Sequence, residues 1–217
     1  QLESKRTLHQ TATDAARRMM SSQQLDAFDV SSESKEVRDS FGDSAFGRGA
    51  LAASRLIEVG ARCVEVSLGG WDSHITNHSS QSSACEKLDP ALSALLKRLE
   101  ERDLLDSTLV VCGGEFGRTP AINPAEGRDH WPHGFSVLLA GCGIRRAGLY
   151  GETAEKPKLR TCVKLIELEW LSKMNFTHLI VLVTERKDNT LRLVTLFIEG
   201  WNLTKLFKNM WDYVQCS

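Results

Sequence analysis

The fold turns on residues 88–115, LDPALSALLKRLEERDLLDSTLVVCGGE. In the first half, Leu88, Leu92, Leu95, Leu96 and Leu99 recur three or four residues apart, which lines one side of an α-helix with apolar side chains. Asp106-Ser107-Thr108 breaks that period, and Leu109-Val110-Val111-Cys112 follows as an unbroken apolar run. A run with no polar face predicts a strand buried on both sides, the pattern of parallel sheets. Two glycines and a carboxylate, Gly113-Gly114-Glu115, end it.

Upstream, the order is similar. Leu51, Ala52, Leu56 and Val59 give helical spacing over Phe46 to Val59, and Gly60 is a natural stop. Arg62 to Leu68 then reads as a strand ending in Gly69-Gly70. Strand, helix, strand with a crossover of this length predicts parallel pairing of the two strands with a right-handed connection. Phe135 to Ala140 reads as another buried strand of the parallel type, and Thr11 to Gln24 as a helix. Ser21 to Ser40 reads as polar and irregular apart from Leu25, Phe28 and Val30, and Thr76 to Ser83 as a Ser/Asn/Gln-rich loop. The expected class is α/β, with a mostly parallel sheet flanked by helices.

The 217 residues are 41% hydrophobic, enough for one domain with a core. A formal net charge of -1 gives no electrostatic case for nucleic acid or an anionic membrane, and no basic run is interleaved with aromatics. The apolar runs are too short to span a bilayer. None of the six cysteines forms a CxxC pair, which argues against a cysteine zinc site. Cys63, Cys112 and Cys142 sit in apolar strand contexts and read as small hydrophobes. The chain opens polar, with no signal-peptide h-region and no initiator Met, so a processed form or a fragment of a longer protein is expected.

Composition changes near Pro157: of the 16 glycines only Gly200 lies beyond it. Residues 1–157 are therefore read as the α/β domain, and 158–217 as an atypical α+β tail. The tail's expected elements are a helix over Lys158 to Met174, strands over Thr177 to Val183 and Leu191 to Ile198 that suggest a hairpin, and a helix over Trp201 to Val214.

Three polar clusters lie where strands hand over to loops: Gly70-Trp71-Asp72-Ser73-His74, Gly114-Glu115-Phe116-Gly117-Arg118-Thr119-Pro120, and Gly127-Arg128-Asp129-His130-Trp131-Pro132-His133. Ligands of open α/β sheets bind outside the carboxyl ends of the strands, and carboxylates and imidazoles delivered there suit a zinc-like ion. Asp72 and His74, two residues apart at a strand end, can both point into one cavity, although alone they read better as an Asx-turn and a surface histidine. Glu115 after a buried strand calls for a cation or an ion-pair partner. Asp129, His130 and His133 complete the ligand candidates, while His78 reads as a solvated loop residue. Arg118 reads either as the salt-bridge partner of Glu115 or, with Arg128, as an anion-binding candidate, because a planar guanidinium matches phosphate or sulfate. HExxH, GxSxG and Walker patterns are absent.

The strings GGWDSH, LDPALSALLKRLEERDLLDSTLVVCGGEFGRTPAIN and GRDHWPHGFSVLLAG resemble domain-of-unknown-function family 1501, a branch of the alkaline-phosphatase-like superfamily. The resemblance spans roughly residues 1 to 155. It implies an α/β sandwich, here incomplete, with a metal centre at the carboxyl edge of its sheet. It also implies hydrolysis or transfer of small anionic phosphate or sulfate esters. Asp72 and His74 resemble ligands of one metal, Glu115 a carboxylate ligand after the next strand, and His130 the late histidine ligand, with Asp129 and His133 beside it. Zinc is the expected ion, with calcium, magnesium and manganese as alternatives. Phe116 stands where the superfamily usually has a histidine, which argues against a full two-metal site. The superfamily's nucleophile comes from an N-terminal part that this chain does not match, so no catalytic nucleophile is assigned. Bacterial members are often exported, which implies a periplasmic or extracellular setting. A truncated hydrolase-like domain is expected, or a non-catalytic binding or assembly protein on the same scaffold.

Overall fold

A computed structural model of the chain describes residues 8–20, 22–114, 117–131, 136–144 and 178–183. In chain order these form α1 (Leu8–Met20), 3-10 turns at Gln23–Phe28 and Val30–Ser32, α2 (Lys35–Ser40), α3 (Ala45–Glu58), β1 (Cys63–Ser67) and α4 (Asn77–Glu101). A 3-10 turn at Leu105–Ser107 leads into β2 (Thr108–Gly113), β3 (Gly117–Arg118), β4 (His130–Trp131), β5 (Val137–Gly141) and β6 (His178–Val183). The fold mixes helix and strand. Helix α3 starts where Ser44 caps it, its side chain accepting from the Gly47 N–H at 2.9 Å.

Four strands form one sheet in the order β1-β6-β2-β5. β6 is parallel to β1 and to β2, whereas β2 and β5 are antiparallel. Three corrections follow. First, β1 and β2 run the same way but do not pair, because β6 lies between them. The sequence His178-Leu-Ile-Val-Leu-Val183 has no polar face after its first residue, and such a strand belongs in a sheet's interior. Both its edges are occupied by β1 and β2. Leu191 to Ile198, the expected hairpin partner, and the helices expected over Lys158 to Met174 and Trp201 to Val214 lie outside the described residues. Within the segment read as the atypical tail, His178–Val183 thus supplies a central strand of the sheet. Second, β5 is an antiparallel edge strand and not a buried parallel one; Val137 and Leu138 are exposed. Among the described residues no helix separates β2 from β5, so the chain returns from the edge it left.

Third, Thr76 to Ser83 is not a loop. Helix α4 begins at Asn77 and runs 25 residues through Pro90. Its polar first turns are mostly exposed, while Asn77, Ala84, Ala91, Leu95, Arg98 and Leu99 are buried. Tertiary contacts of that buried stripe outweigh the weak helix propensity of the serines.

The ladder registers stack the core in rows. Val64, Ile180, Val110 and Ala140 lie side by side across the sheet, as do Val66, Leu182 and Cys112. Against this face pack Ala50, Leu51, Ala53 and Ile57 of α3 and Ala91, Leu95 and Leu99 of α4. The cysteines behave as small hydrophobes here: burial pushes the Cys112 and Cys142 thiols up, and that of Cys63 to about 11. The expected helix at the N-terminus is present as α1.

The segment expected to be irregular is held by charge. Glu33 Oε1 accepts from Arg55 Nη1 at 2.6 Å and from Arg98 Nη2 at 2.9 Å, and Arg98 Nε donates to Glu58 at 3.2 Å. Arg55 also donates to the carbonyls of Ala27 and Asp26, both at 3.0 Å. One carboxylate and two guanidinium groups thereby fasten residues 26–33 onto α3 and α4. Burial, the strongest influence on Glu33, pushes its pKa up, but the hydrogen bonds from Arg98 and Arg55 outweigh it and hold the group below its ordinary value.

Candidate metal centre

Beyond the carboxyl end of β1 the backbone turns at Gly70, whose φ of +98° is left-handed and suits glycine. The next residues are anchored from below. The buried Ser73 hydroxyl donates to Asn77 Oδ1 at 2.7 Å, and Gln81 Nε2 donates to Ser73 Oγ at 3.0 Å and to the Trp71 carbonyl at 3.2 Å. The first turns of α4 therefore fix the loop that carries Asp72 and His74.

The second wall is the ribbon of β3 and β4, in which Arg118 is the cross-strand partner of His130. Directly opposed residues project from the same face, so both side chains arrive together. Asn123 ties the connecting loop to the first wall: its Nδ2 donates to the His74 carbonyl at 3.0 Å, while its Oδ1 accepts from the N–H groups of Ala125 and Gly127, both at 2.9 Å. Gly127 passes so close to His74 that a Cβ there would lie 1.8 Å from the His74 carbonyl oxygen. A side chain at 127 would force the two walls apart.

The result is a near-equilateral triangle of potential ligand atoms. His74 Nε2 lies 2.9 Å from Asp72 Oδ1, His130 Nε2 lies 3.0 Å from the same oxygen, and the two Nε2 atoms are 3.2 Å apart. All three side chains are exposed. His74 Nδ1 sits 2.9 Å from Asp129 Oδ1, which assigns the proton of a neutral His74 ring to Nδ1 and leaves Nε2 as a lone pair. With both rings neutral, His130 brings at most one proton to a triangle with three edges. A bare lone pair facing another donor atom and a carboxylate oxygen is an arrangement that a cation relieves.

Arg118 already contributes one positive charge, with Nη1 2.5 Å from Asp72 Oδ1. Desolvation, the strongest influence on Asp72, pushes its carboxyl up, but hydrogen bonds from Arg118 and His130 and the charges of Arg118 and His74 outweigh it and bring it to about 2. The hydrogen bond with His74 is the main reason that Asp129 also lies below its ordinary value.

The candidates from the sequence divide as follows. Asp72, His74 and His130 converge on one point. Asp129 adjoins the group but lies on the far nitrogen of His74. Arg118 contacts Asp72, and Arg128 Nη1 donates to the Thr119 carbonyl at 2.9 Å. His78 is exposed in the first turn of α4. Glu115 and His133 lie outside the described residues. The sequence reading missed Ser73, Asn77, Gln81 and Asn123, which position the ligands without touching the triangle. Only Asn123 carried a signal, the turn-forming Asn123-Pro124 pair.

Among the described residues no helix is long and apolar enough to cross a membrane. Residues 2–161 match the family described as "Protein of unknown function (DUF1501)". No match was found among curated proteins or among solved structures.

Proposed function

The chain belongs to the DUF1501 family, and from that premise we propose that Asp72, His74 and His130 hold a divalent metal ion in a centre related to those of phosphate and sulfate ester hydrolases. The observation that carries this reading is the mutual spacing of 2.9, 3.0 and 3.2 Å among the three donor atoms. Donors about 2.0–2.1 Å from a shared zinc ion are about 2.9 Å apart at right angles and about 3.4 Å apart in a tetrahedron, so the triangle fits. Two imidazoles with one carboxylate favour zinc over calcium or magnesium, which prefer oxygen shells. Three protein ligands also leave a position open, as catalytic zinc sites do.

An ion held there supplies Lewis acidity toward an ester oxygen. The chain's own residues prepare that setting. Asp129 fixes the tautomer and ring orientation of His74 through Nδ1, the usual outer partner of a ligating histidine. Asn123 and Ser73 keep the two loops in register. Arg118 is placed to meet an anionic group arriving beside Asp72. The family resemblance supplies the alkaline-phosphatase-like frame and the ester substrates; no residue of this chain is assigned as nucleophile.

A second reading, a non-catalytic binding or assembly protein, is favoured by one observation. The Arg118 cation already sits on Asp72, and Asp129 on His74, so the polar cluster is largely self-satisfied. Two measurements separate the readings. Equilibrium dialysis should give about one zinc per wild-type chain and a large loss for Asp72→Ala; equal uptake by both removes Asp72 from the ligand set. Hydrolysis of an aryl phosphate or aryl sulfate, lost with EDTA and restored by zinc, supports the hydrolase; stoichiometric zinc binding with no turnover supports the binding protein.

A further inference from the structure

Resting on the metal-centre reading, a further role falls to Thr119. Two residues adjacent in the chain meet one imidazole: Asp129 Oδ1 lies 2.9 Å from His74 Nδ1, and His130 Nε2 lies 3.2 Å from His74 Nε2. Consecutive side chains of a regular strand project to opposite faces, so an unbroken ladder does not deliver both. The β3–β4 ladder is cut short at this point. Its registered pairs are Gly117 with Trp131 and Arg118 with His130.

The next pair, Thr119 with Asp129, is only half regular. The Thr119 N–H donates to the Asp129 carbonyl at 2.9 Å, as a hydrogen-bonded antiparallel pair requires. The reciprocal bond is rerouted. The Asp129 N–H donates to Thr119 Oγ1 at 3.1 Å, and the Thr119 carbonyl accepts from Arg128 Nη1 at 2.9 Å instead. A hydroxyl has one proton, and that of Thr119 goes to the Ala121 carbonyl at 2.9 Å, so the oxygen faces the Asp129 N–H as an acceptor. Thr119 thus grips the Asp129 backbone on both sides, and the carbonyl it displaces is satisfied by Arg128. Asn123 Nδ2 adds a longer contact to the carboxylate itself, at 3.3 Å.

We propose that Thr119 is a positioning residue of the centre: its hydroxyl, standing in for its carbonyl, takes Asp129 out of the strand's alternation, so that the carboxylate reaches His74 Nδ1 while His130 reaches His74 Nε2. The proton of neutral His74 is thereby kept on Nδ1, and Nε2 is left to bind the cation. Thr119 acts through Asp129 and supplies no ligand atom of its own.

The test reads the His74 tautomer in the metal-free protein by proton–nitrogen correlation NMR, with the rings neutral, and zinc affinity by competition with a chromophoric chelator. Wild type and Thr119→Ser, which keeps the hydroxyl, should both carry the proton on His74 Nδ1 and bind zinc alike. Thr119→Val, which puts a methyl where the hydroxyl was, should move His74 toward the Nε2–H form. It should also weaken zinc binding about 10-fold, the lower end of the span for outer partners of a ligand. Adding Thr119→Val to Asp129→Asn should cost nothing further, since the two act through one bond. Circular dichroism confirms that each variant is folded, and Thr119→Ala replaces Thr119→Val should the latter not fold. An unchanged tautomer in folded Thr119→Val overturns the proposal, as does a fully additive loss of zinc affinity in the double variant. Equal losses in Thr119→Ser and Thr119→Val would make the side chain a packing element and also overturn it. A wild type that binds no zinc, yet whose His74 tautomer responds to Thr119→Val, removes the metal-centre reading and leaves the positioning of His74 by Thr119 standing.

Discussion

The Glu33–Arg55–Arg98–Glu58 network and the Asp72–His74–His130 group are both assembled from charged or titratable side chains distant in sequence, yet they are built on opposite terms. In the first, cationic donors meet anionic acceptors directly, and Arg98 is buried. Every close contact joins unlike partners, as in a structural clamp. In the second, potential ligand atoms of three side chains face one another at 2.9 to 3.2 Å, and the side chains are exposed. Interactions there are screened by water, so the arrangement contributes little to holding the fold. Burial with charge balance suits a part that holds the structure; exposure with converging donor atoms suits the candidate metal centre.

That contrast breaks most visibly through stability. Arg98→Ala leaves Glu33 and Glu58 partly buried without their shared partner and should lower unfolding free energy by about 3–5 kcal/mol. Asp72→Asn should change it by no more than about 1 kcal/mol. Chemical denaturation of both variants without metal checks the pair; equal losses would erase the distinction between clamp and site.

A smaller effect sharpens the other side. Asp129→Asn removes the carboxylate behind His74 and should weaken zinc binding about 10- to 100-fold while leaving the midpoint of metal-free unfolding nearly unchanged. A fall in stability without a fall in zinc affinity would reassign Asp129 to the scaffold.

The smallest effect is in acid. Glu33 is held below its ordinary value of 4.5, so its contribution is fully present above about that pH and is lost as pH falls through the lower value it has in the folded protein. Glu33→Gln lacks this titration. Its stability deficit against wild type should be constant near neutrality and should narrow below about pH 4.5. Thermal unfolding across that range reads the difference, and a deficit independent of pH would mean that Glu33 acts through packing alone.

Local pattern made much of this legible. The helical spacing of Leu88 to Leu99 and the apolar run Leu109 to Cys112 appear as the second half of α4 and as β2, because periodic burial writes itself into sequence. Asp72, His74 and His130 were among the sequence candidates because carboxylates and imidazoles at the carboxyl ends of strands are able to converge on one ion. Their supports did not stand out. Asn123 and Gln81 work through hydrogen bonds to carbonyls of other segments, and such bonds leave no pattern in the chain that makes them. Glu33 looked like one more charge in a polar stretch, since its arginines lie 22 and 65 residues away.

Sequence alone determined which segments are apolar, at what period, and which chemistry is available at their ends, because those are properties of neighbours along the chain. Only the folded structure decided who neighbours whom. It placed His178–Val183 between β1 and β2, turned β5 antiparallel and brought residue 72 within hydrogen-bond distance of residue 130. Strand order and side-chain convergence follow from how the whole chain shares one core, and that competition for burial has no local signature.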